Sequence, residues 1–412
     1  MTAGADGDLA LGAGGSEPPV EETAAGRLPG VDGLRGLAAL AVVGTHVGFE
    51  TGSYDAGTVG ALLSRLEVSV AVFFVLSGFL LSRPWLTAAA RRTPPPRAGA
   101  YLWRRALRVL PAYWVAVTLA LLLLPENDSA GPSVWVRQLL LVQVYWPEWQ
   151  AAGLTQMWSL CTEVAFYLVL PVLMGLVLER WRAGRRSLAA VLVLPAGLVA
   201  LGLVCTGLFA WPDFPLPGSA QVWLLPHAGW FGVGIALAAV SVHIGTGAPA
   251  PRVAPLLRAA AQPGACWLAA GALFWLTATP LAGPVTLEQA SVPASVTTEV
   301  LYGAIAGLLL LPLALGSPTG LVTAVLDSAA LRRLGDLSYG IFLFHLVVLE
   351  GVRVLLGQAE FSGSFAETFL LTVAGAWVAA AVSRRFLERP AMRLRRLVPG
   401  DRPRPAPAGT AP

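Results

Sequence analysis

Residues 32–46 read DGLRGLAALAVVGTH, and this stretch decides the class of fold. Nine apolar or glycine residues follow Arg35 and lead to Thr45 and His46. On an α-helix, the path from Arg35 to His46 makes about three turns and about 16 Å of rise, so both side chains lie on one face. An ionisable group at that depth is costly and usually faces the interior of a bundle or a wet cavity. The stretch therefore predicts a membrane helix with a cation at one end and a histidine inside it.

The composition of the whole chain agrees with a membrane protein. Of 412 residues, 56% are hydrophobic and 13% are charged, with a mean hydropathy of +0.67, whereas soluble domains have about 25% charged residues. All 28 basic residues are arginines in short segments beside apolar runs, which disfavours nucleic-acid binding. The three cysteines are scattered through apolar sequence, so neither a disulfide framework nor a metal site is predicted from them.

A helix that crosses a bilayer needs about 20 mostly apolar residues. Such segments predict an all-α, polytopic membrane helix bundle of about ten transmembrane helices, near 34–51, 67–86, 107–124, 157–178, 188–210, 222–241, 264–281, 298–316, 336–356 and 366–386. A shorter apolar piece at 133–147 is expected to be interfacial or re-entrant.

The arginines predict the orientation of the bundle, because basic residues concentrate on the cytoplasmic side. With both termini in the cytoplasm, all but three of the 28 arginines fall on that side, and the exceptions are Arg65, Arg137 and Arg353. Residues 1–27 and 397–412 have the composition of disordered cytoplasmic tails. Residues 28–396 are predicted to form one membrane domain.

A second segment with chemistry is YLWRRALRVLPAYW at 101–114. It places Arg104, Arg105 and Arg108 at the predicted cytoplasmic start of a span. The three side chains are either ordinary anchors at the membrane surface or a guanidinium cluster that binds the phosphates of a donor.

A third segment, MWSLCTEVAFYLVLP at 157–171, has Glu163 near the start of a span and Tyr167 one turn later on the same face. A carboxylate at that depth needs a partner. His46 is one candidate, and a structural ion pair with another cation is the alternative. The pair Ser77 and Gly78, in the middle of another span, predicts close helix packing.

The fourth segment, LGDLSYGIFLFHLVVLE at 334–350, contains a second intramembrane histidine, His345. Ser338 lies seven residues before it on the same face, and Tyr339 lies at the inner interface. His345 is either part of a site or a packed histidine that is hydrogen-bonded to its neighbours. The chain's four histidines are far apart in sequence, so no metal site is predicted.

In this order, these segments resemble the acyltransferase-3 family of membrane acyltransferases. Arg35 and His46 match its Arg-X10-His stretch, and Arg105 and Arg108 match its Arg-x-x-Arg core. The remaining matches are FFVLSGFLL at 73–81, WSLCTEVAFY at 158–167, SYGIFLFH at 338–345 and ERP at 388–390. The resemblance therefore covers nearly the whole chain.

The chain departs from the family pattern at four positions. Val164 replaces the second acid of the third motif, and Ala71 stands where an acid is often found. Phe342 and Phe344 stand where Tyr and Trp are frequent. These departures concern the specificity for the acceptor.

The resemblance implies transfer of an acyl group, commonly acetyl, from cytoplasmic acyl-CoA to a hydroxyl of a sugar, cell-envelope glycan or glycolipid. The protein would then be a multi-pass protein of the bacterial inner membrane. His46 and Glu163 would be catalytic, as base or nucleophile and as an orienting group. The expected donor-binding residues are Arg35, Arg104, Arg105 and Arg108, and the expected substrate contacts are Trp158, Tyr167, Ser338, Tyr339 and His345.

Two alternatives remain at the level of the sequence. One is an acyltransferase that tailors a macrolide-type secondary metabolite. The other is a proton-coupled transporter, which would use the same intramembrane ionisable groups as a proton relay. Transporters often have two halves with broken spans in matching positions, and the sequence has no such symmetry.

Overall fold

The computed structural model of the chain describes residues 28–148, 150–182, 188–246, 255, 259–284, 290–316 and 320–397. Its main helices are α1 Val31–Glu50, α2 Gly57–Ser64, α3 Val68–Arg91, α4 Ala98–Leu123, α5 Pro132–Leu139, α6 Met157–Arg182, α7 Leu188–Phe209, α8 Ala228–Gly245, α9 Pro263–Thr277, α10 Val292–Leu315, α11 Leu321–Leu326, α12 Ala329–Leu356 and α13 Phe365–Ser383. A π-helical turn, Arg384–Glu388, continues α13 into the short α14, Arg389–Arg393. Both predicted tails lie outside the described residues except for Leu397.

The described part of the chain is an all-helical membrane bundle without strands. Eight of its helical stretches are long and apolar enough to cross a membrane. Two helices that overlap predicted spans are not among the eight. The helix α9 has only 15 residues, and the 20-residue α1 carries Asp32, Arg35 and His46. The polar side chains of α1 are therefore what set it apart from its neighbours.

The apolar piece predicted to be interfacial or re-entrant forms the short helix α5. It lies against α4, where the Tyr113 hydroxyl donates a hydrogen bond to the carbonyl of Gln138. The indole of Trp114 donates to the carbonyl of Leu139 at 3.0 Å. At eight residues, about 12 Å long, α5 is too short to cross a bilayer.

Glycines bring α3 and α8 into direct backbone contact. A Cβ atom on Gly78 would lie 2.3 Å from the carbonyl oxygen of Phe231. A Cβ atom on Gly234 would lie 2.0 Å from the carbonyl oxygen of Val75. The close packing predicted at Ser77 and Gly78 is therefore confirmed, and it occurs against α8.

A second close approach, the α1–α12 seam, is formed by Asp32, Gly36 and Gly335. A Cβ atom on Gly335 would lie 2.0 Å from the carbonyl oxygen of Asp32, and one on Gly36 would lie 2.9 Å from the amide nitrogen of Gly335. No larger residue fits between these backbones. Since His46 and His345 lie on these two helices beyond the seam, the seam fixes how the two histidines meet.

Candidate active site

The two intramembrane histidines form a pair. The Nδ1 atom of His46 lies 3.2 Å from the Nε2 atom of His345, and the ring centroids are 5.0 Å apart. His345 is fully buried, whereas His46 is half-buried. The pair therefore has one enclosed member and one that can be reached.

Hydrogen bonds to backbone carbonyls define the tautomer of each ring. The Nδ1 atom of His345 lies 2.8 Å from the carbonyl oxygen of Phe342. The Nδ1 atom of His46 lies 2.8 Å from the carbonyl oxygen of Val42. Because a carbonyl oxygen only accepts, both Nδ1 atoms carry the proton in the neutral rings. His345 Nε2 is then an acceptor, and it receives a share of the His46 Nδ1–H bond.

This arrangement leaves the Nε2 atom of His46 without a proton. No hydrogen bond joins this atom to any residue in the described part of the chain. The atom is also not one of the fully buried polar atoms that lack a partner. A histidine in this state has a basic and nucleophilic lone pair that is aimed away from its orienting partner.

Glu163 has a partner other than the histidine expected from the sequence. Its carboxylate accepts a short hydrogen bond from the hydroxyl of Ser77 on α3. The carboxylate also interacts electrostatically with Arg35 and with the phenol of Tyr167. The structure therefore joins Glu163 to the α3 segment and to the basic end of the bundle, while His46 is oriented by His345.

The arginine segment of α4 meets the end of α13. The Nη1 atom of Arg108 lies 2.7 Å from the Oε2 atom of Glu388, whose side chain is only 4% exposed. The Arg108 guanidinium also lies 5.7 Å from the ring centroid of Tyr339. The Tyr339 hydroxyl in turn donates to the carbonyl of Val109 at 2.7 Å. Arg108 and Tyr339 are therefore held together, with the charge of Arg108 partly balanced.

Arg105 is held more loosely than Arg108. Its guanidinium lies 6.0 Å from the ring centroid of Tyr167. Its Nε atom is buried without a hydrogen-bond partner among the described residues, and the same is true of the Tyr101 hydroxyl. Such orphaned donors are rare in folded proteins and mark places where a ligand oxygen fits.

The other predicted cations lie at the same end of the bundle. Arg35 is half-exposed and lies 4.0 Å from Asp32 at the start of α1. Its charge interacts with that of Arg108, although the two residues come from different helices. Arg104 is half-buried in the same helical turn as Arg105. Three predicted segments therefore converge around one group of guanidinium charges.

Two predicted substrate contacts lie elsewhere. Ser338 is buried, with 1% of the residue exposed. Its hydroxyl donates to the carbonyl of Gly335 at 2.8 Å, within the same helix. Trp158 packs against His227, with ring centroids 5.4 Å apart, and against Phe74 at 6.3 Å. Among the described residues, no hydrogen bond or ring contact joins either side chain to the pair of His46 and His345, and their role as substrate contacts stays a prediction.

Trp158 leads to a buried pair that the sequence analysis missed. His227 Nδ1 lies 3.3 Å from Glu299 Oε2, and the ring of His227 stacks on Trp230 with centroids 4.6 Å apart. The outer atoms of the pair, His227 Nε2 and Glu299 Oε1, are buried without described partners. The signal was available, because both residues are ionisable groups in apolar sequence. Their pairing was not visible, because 72 residues separate them.

Two further residues of the site were seen in the sequence without a role. The sequence marks Ser77 only as a small packing residue and Glu388 only as part of a motif. Each is the partner of a predicted site residue. Among the described residues, no three His, Cys, Asp or Glu side chains come together as metal ligands.

The bundle, its pair of intramembrane histidines and the guanidinium group at one end define a multi-pass membrane enzyme. The chain belongs to the acyltransferase-3 family, whose acyltransferase domain matches residues 28–384. It is therefore a membrane acyltransferase that transfers groups other than aminoacyl groups, which favours an enzyme over the transporter considered from the sequence.

Curated relatives cover most of the chain. Acyltransferase MdmB of Streptomyces mycarofaciens is 30% identical over 387 residues, 89% of this chain and 92% of the relative. Nodulation protein 10 of Rhizobium leguminosarum bv. viciae is 25% identical, over 92% of this chain and 96% of the relative. Peptidoglycan O-acetyltransferase OatA of Listeria monocytogenes is 24% identical, over 88% of this chain and 55% of the relative. No solved structure matches the chain.

Proposed function

We propose that the protein is an O-acyltransferase that moves an acyl group, acetyl in the simplest case, from acyl-CoA to a hydroxyl of a sugar, cell-envelope glycan or glycolipid. The observation that carries the proposal is the histidine pair. The carbonyl of Val42 and the Nε2 atom of His345 both accept from the Nδ1–H of His46, so the Nε2 atom of His46 is the free base. A base whose tautomer is set by a second group follows the logic of catalytic triads, with a neutral imidazole in the orienting position.

The donor would bind at the arginine-rich end. Arg105 has an unsatisfied buried Nε donor, Arg108 and Arg35 are partly exposed, and planar guanidinium groups suit phosphate oxygens. Arg104 adds a fourth charge to this group. The concentration of arginines at this end supports a cytoplasmic location for it, where CoA thioesters are made. We propose the bacterial inner membrane as the location, and all the relatives named above come from bacteria.

The chemistry follows from the position of the base. As the acceptor hydroxyl attacks the thioester carbonyl, its proton passes to His46 Nε2, and the new C–O bond replaces the C–S bond. The proton then passes from His46 to the departing thiolate, which gives free CoA and an ester. The imidazolium that forms in between is stabilised because its Nδ1–H already donates to Val42 and His345. A nucleophilic route through acyl-His46 would use the same lone pair.

Glu163 is proposed to position the acceptor or the thioester. Its carboxylate is half-buried, is held by Ser77, and interacts with Arg35 and with Tyr167. Because Tyr167 lies beside Arg105, these interactions bring Glu163 close to the proposed donor arginines. Tyr167 and Tyr339 stack beside Arg105 and Arg108 and would line the same path.

The direct test is transfer of labelled acetyl from acetyl-CoA by membranes that contain His46→Ala protein. We expect loss of transfer, while His243→Ala, which changes a buried histidine of α8 outside the site, keeps it. Full activity of His46→Ala would exclude the base. Offering peptidoglycan fragments and a macrolide in parallel reports which acceptor is used, since one relative is a peptidoglycan O-acetyltransferase.

Steady-state kinetics separate the two routes. A ternary-complex pattern supports direct attack by the acceptor with His46 as the base. A ping-pong pattern with accumulation of labelled enzyme supports an acyl-histidine.

A further inference from the structure

A groove of ≈ 280 Å³ lies between the ends of α12 and α13, on the outside of the bundle. It belongs to the arginine-rich end but is not formed by the proposed donor residues. Its lining consists of four arginines, one aspartate, one tryptophan and two small or aliphatic residues, namely Arg333, Asp336, Leu337, Trp377, Ala381, Arg384, Arg385 and Arg389.

The groove has an excess of positive charge. Only Arg384 is neutralised within it, by an ion pair of 2.8 Å with Asp336. The guanidinium groups of Arg333, Arg385 and Arg389 form no ion pair with a residue of the described ranges. Three exposed cations that converge on one concavity repel each other, so an anion in the groove would stabilise them.

The wall of the groove continues into an apolar surface of α13. Trp377 is 45% exposed, and Val378 and Val382 are each more than half exposed on the same helix. Phe386, which follows in the π-helical turn, is 64% exposed. These side chains face outward from a membrane-spanning helix, so they face lipid. An aromatic residue at this level is typical of the membrane–water interface.

We propose that this groove binds the phosphate headgroup of an anionic phospholipid, with the acyl chains lying along the exposed face of α13. Guanidinium groups bind phosphodiester oxygens through paired, charge-assisted hydrogen bonds. Basic pockets between membrane helices on the cytoplasmic side are suited to such headgroups. The ligand has to combine negative charge with a long apolar part, because the groove is lined by arginines and continues into the apolar surface of α13.

The position of the groove couples it to the donor site. The π-helical turn Arg384–Glu388 contributes two arginines to the groove. Its last residue, Glu388, does not line the groove and pairs with Arg108 at 2.7 Å. A headgroup that holds this turn would also hold Glu388, and with it the orientation of Arg108. This regulatory consequence rests on the proposed donor role of Arg108, whereas the binding of the lipid does not.

The test uses the full-length purified protein in nanodiscs of phosphatidylcholine, with and without phosphatidylglycerol. Retained phosphatidylglycerol is counted by native mass spectrometry, and its affinity is measured by titration. The variant Arg385→Gln/Arg389→Gln removes two lining charges. The matched control Arg91→Gln/Arg393→Gln removes two exposed arginines of the same end that do not line the groove.

We expect the groove variant to bind phosphatidylglycerol roughly thirtyfold more weakly, from the loss of two arginine contacts near an anionic headgroup, and the control to bind it like wild type. Equal loss in both variants would mean unspecific attraction to a basic surface and would overturn the proposal. Displacement of the lipid by inorganic phosphate or CoA, or a raised KM for acetyl-CoA without lost lipid, would assign the groove to a soluble phosphate ligand instead. Lipid binding is measured without any transferase reaction. Failure of the proposed acyl transfer would therefore leave the lipid-binding result unchanged, and the two failures can be told apart.

Discussion

The Nε2 atom of His345 lies 3.2 Å from the Nδ1 atom of His46 and faces it as a hydrogen-bond acceptor. His345 is itself fixed, because its own Nδ1–H is taken by the carbonyl of Phe342. In the proposed mechanism, the enclosed ring acts on the accessible ring. His345 would then be a positioning residue that, together with the carbonyl of Val42, holds the orientation of the His46 ring.

Replacement of His345 by Phe should lower kcat by about ten- to a hundredfold with little change in KM, because loss of one orienting hydrogen bond costs about 1–3 kcal/mol. His345→Gln, whose side-chain oxygen is an acceptor, should restore part of the rate. The acetyl-transfer assay measures both. A similar loss in the control His243→Phe would point to packing instead of orientation.

The contact between Ser77 and Glu163 calls for a double-mutant cycle. Ser77→Ala and Glu163→Gln should each reduce kcat/KM, and the double variant should lose less than the sum. The expected coupling is about 0.5–3 kcal/mol, the usual range for residues in direct contact. Strict additivity of the two effects would show that the hydroxyl does not act through the carboxylate.

Arg105→Ala should mainly raise the KM for acetyl-CoA, because the buried Nε donor of Arg105 has no hydrogen-bond partner among the described residues and would be available to a phosphate oxygen. Arg105→Lys should recover little of the effect, since an ammonium cannot reproduce the planar donor fork. Arg91→Ala, which changes an exposed arginine at the same end, is the control. An unchanged KM in Arg105→Ala would remove this residue from the donor site.

Arg65 is one of the few arginines at the end of the bundle opposite to the proposed donor site, and it is buried. It donates to the carbonyls of Thr277, Ala282, Gly283 and Pro284 at 2.8–3.1 Å, and so closes the end of α9. Arg65→Met should therefore lower the stability of the detergent-solubilised protein, by about 1–3 kcal/mol for each buried carbonyl that is left without a donor.

The thermal unfolding midpoint in detergent is the measurement for this variant. Arg137→Met, which removes a half-exposed arginine of the same end that stacks on Trp146, should shift the midpoint much less. Specific activity of the folded Arg65→Met fraction should stay near that of wild type. An unfolding midpoint of Arg65→Met equal to that of wild type would show that water replaces the guanidinium with no loss of stability.

Much of the fold was predictable because helix formation in a bilayer depends on local apolarity. The ten predicted segments all overlap helices, but several helices begin earlier than predicted. The helix α4 begins at Ala98 instead of near 107, and α12 begins at Ala329 instead of near 336. Arg104 and Arg105 near the start of α4, and Arg332 and Arg333 near the start of α12, interrupt the apolar sequence, so hydropathy alone does not reveal where these helices begin.

Several residues of the candidate site stand out in the sequence, whereas their partners do not. His46, Glu163 and Arg108 stand out because ionisable groups inside spans are expensive. Which group faces each of them depends on which helices are neighbours, and that is set by tertiary contacts such as those at Gly78 and Gly335. The sequence therefore suggested His46 for Glu163, whereas the structure pairs Glu163 with Ser77.

The α1–α12 seam can be tested by adding one methyl group. Gly335→Ala would place a carbon about 2.0 Å from the carbonyl oxygen of Asp32, and overpacking of this kind typically costs about 1–3 kcal/mol. We expect a lower unfolding midpoint together with a lower kcat, since the histidine pair is displaced. Gly351→Ala, at a position of the same helix with open space around it, should change neither.

The same seam determines what moves during a turnover. Where Gly335 meets Asp32 the backbones touch, so there is no layer of side chains whose rearrangement would let one helix slide along the other. We therefore expect the two imidazoles to keep a constant separation during a turnover. Under the proposed function, the flexible arm of acyl-CoA would carry the acyl group from the arginines to His46, and the protein would be a rigid guide along which that arm extends.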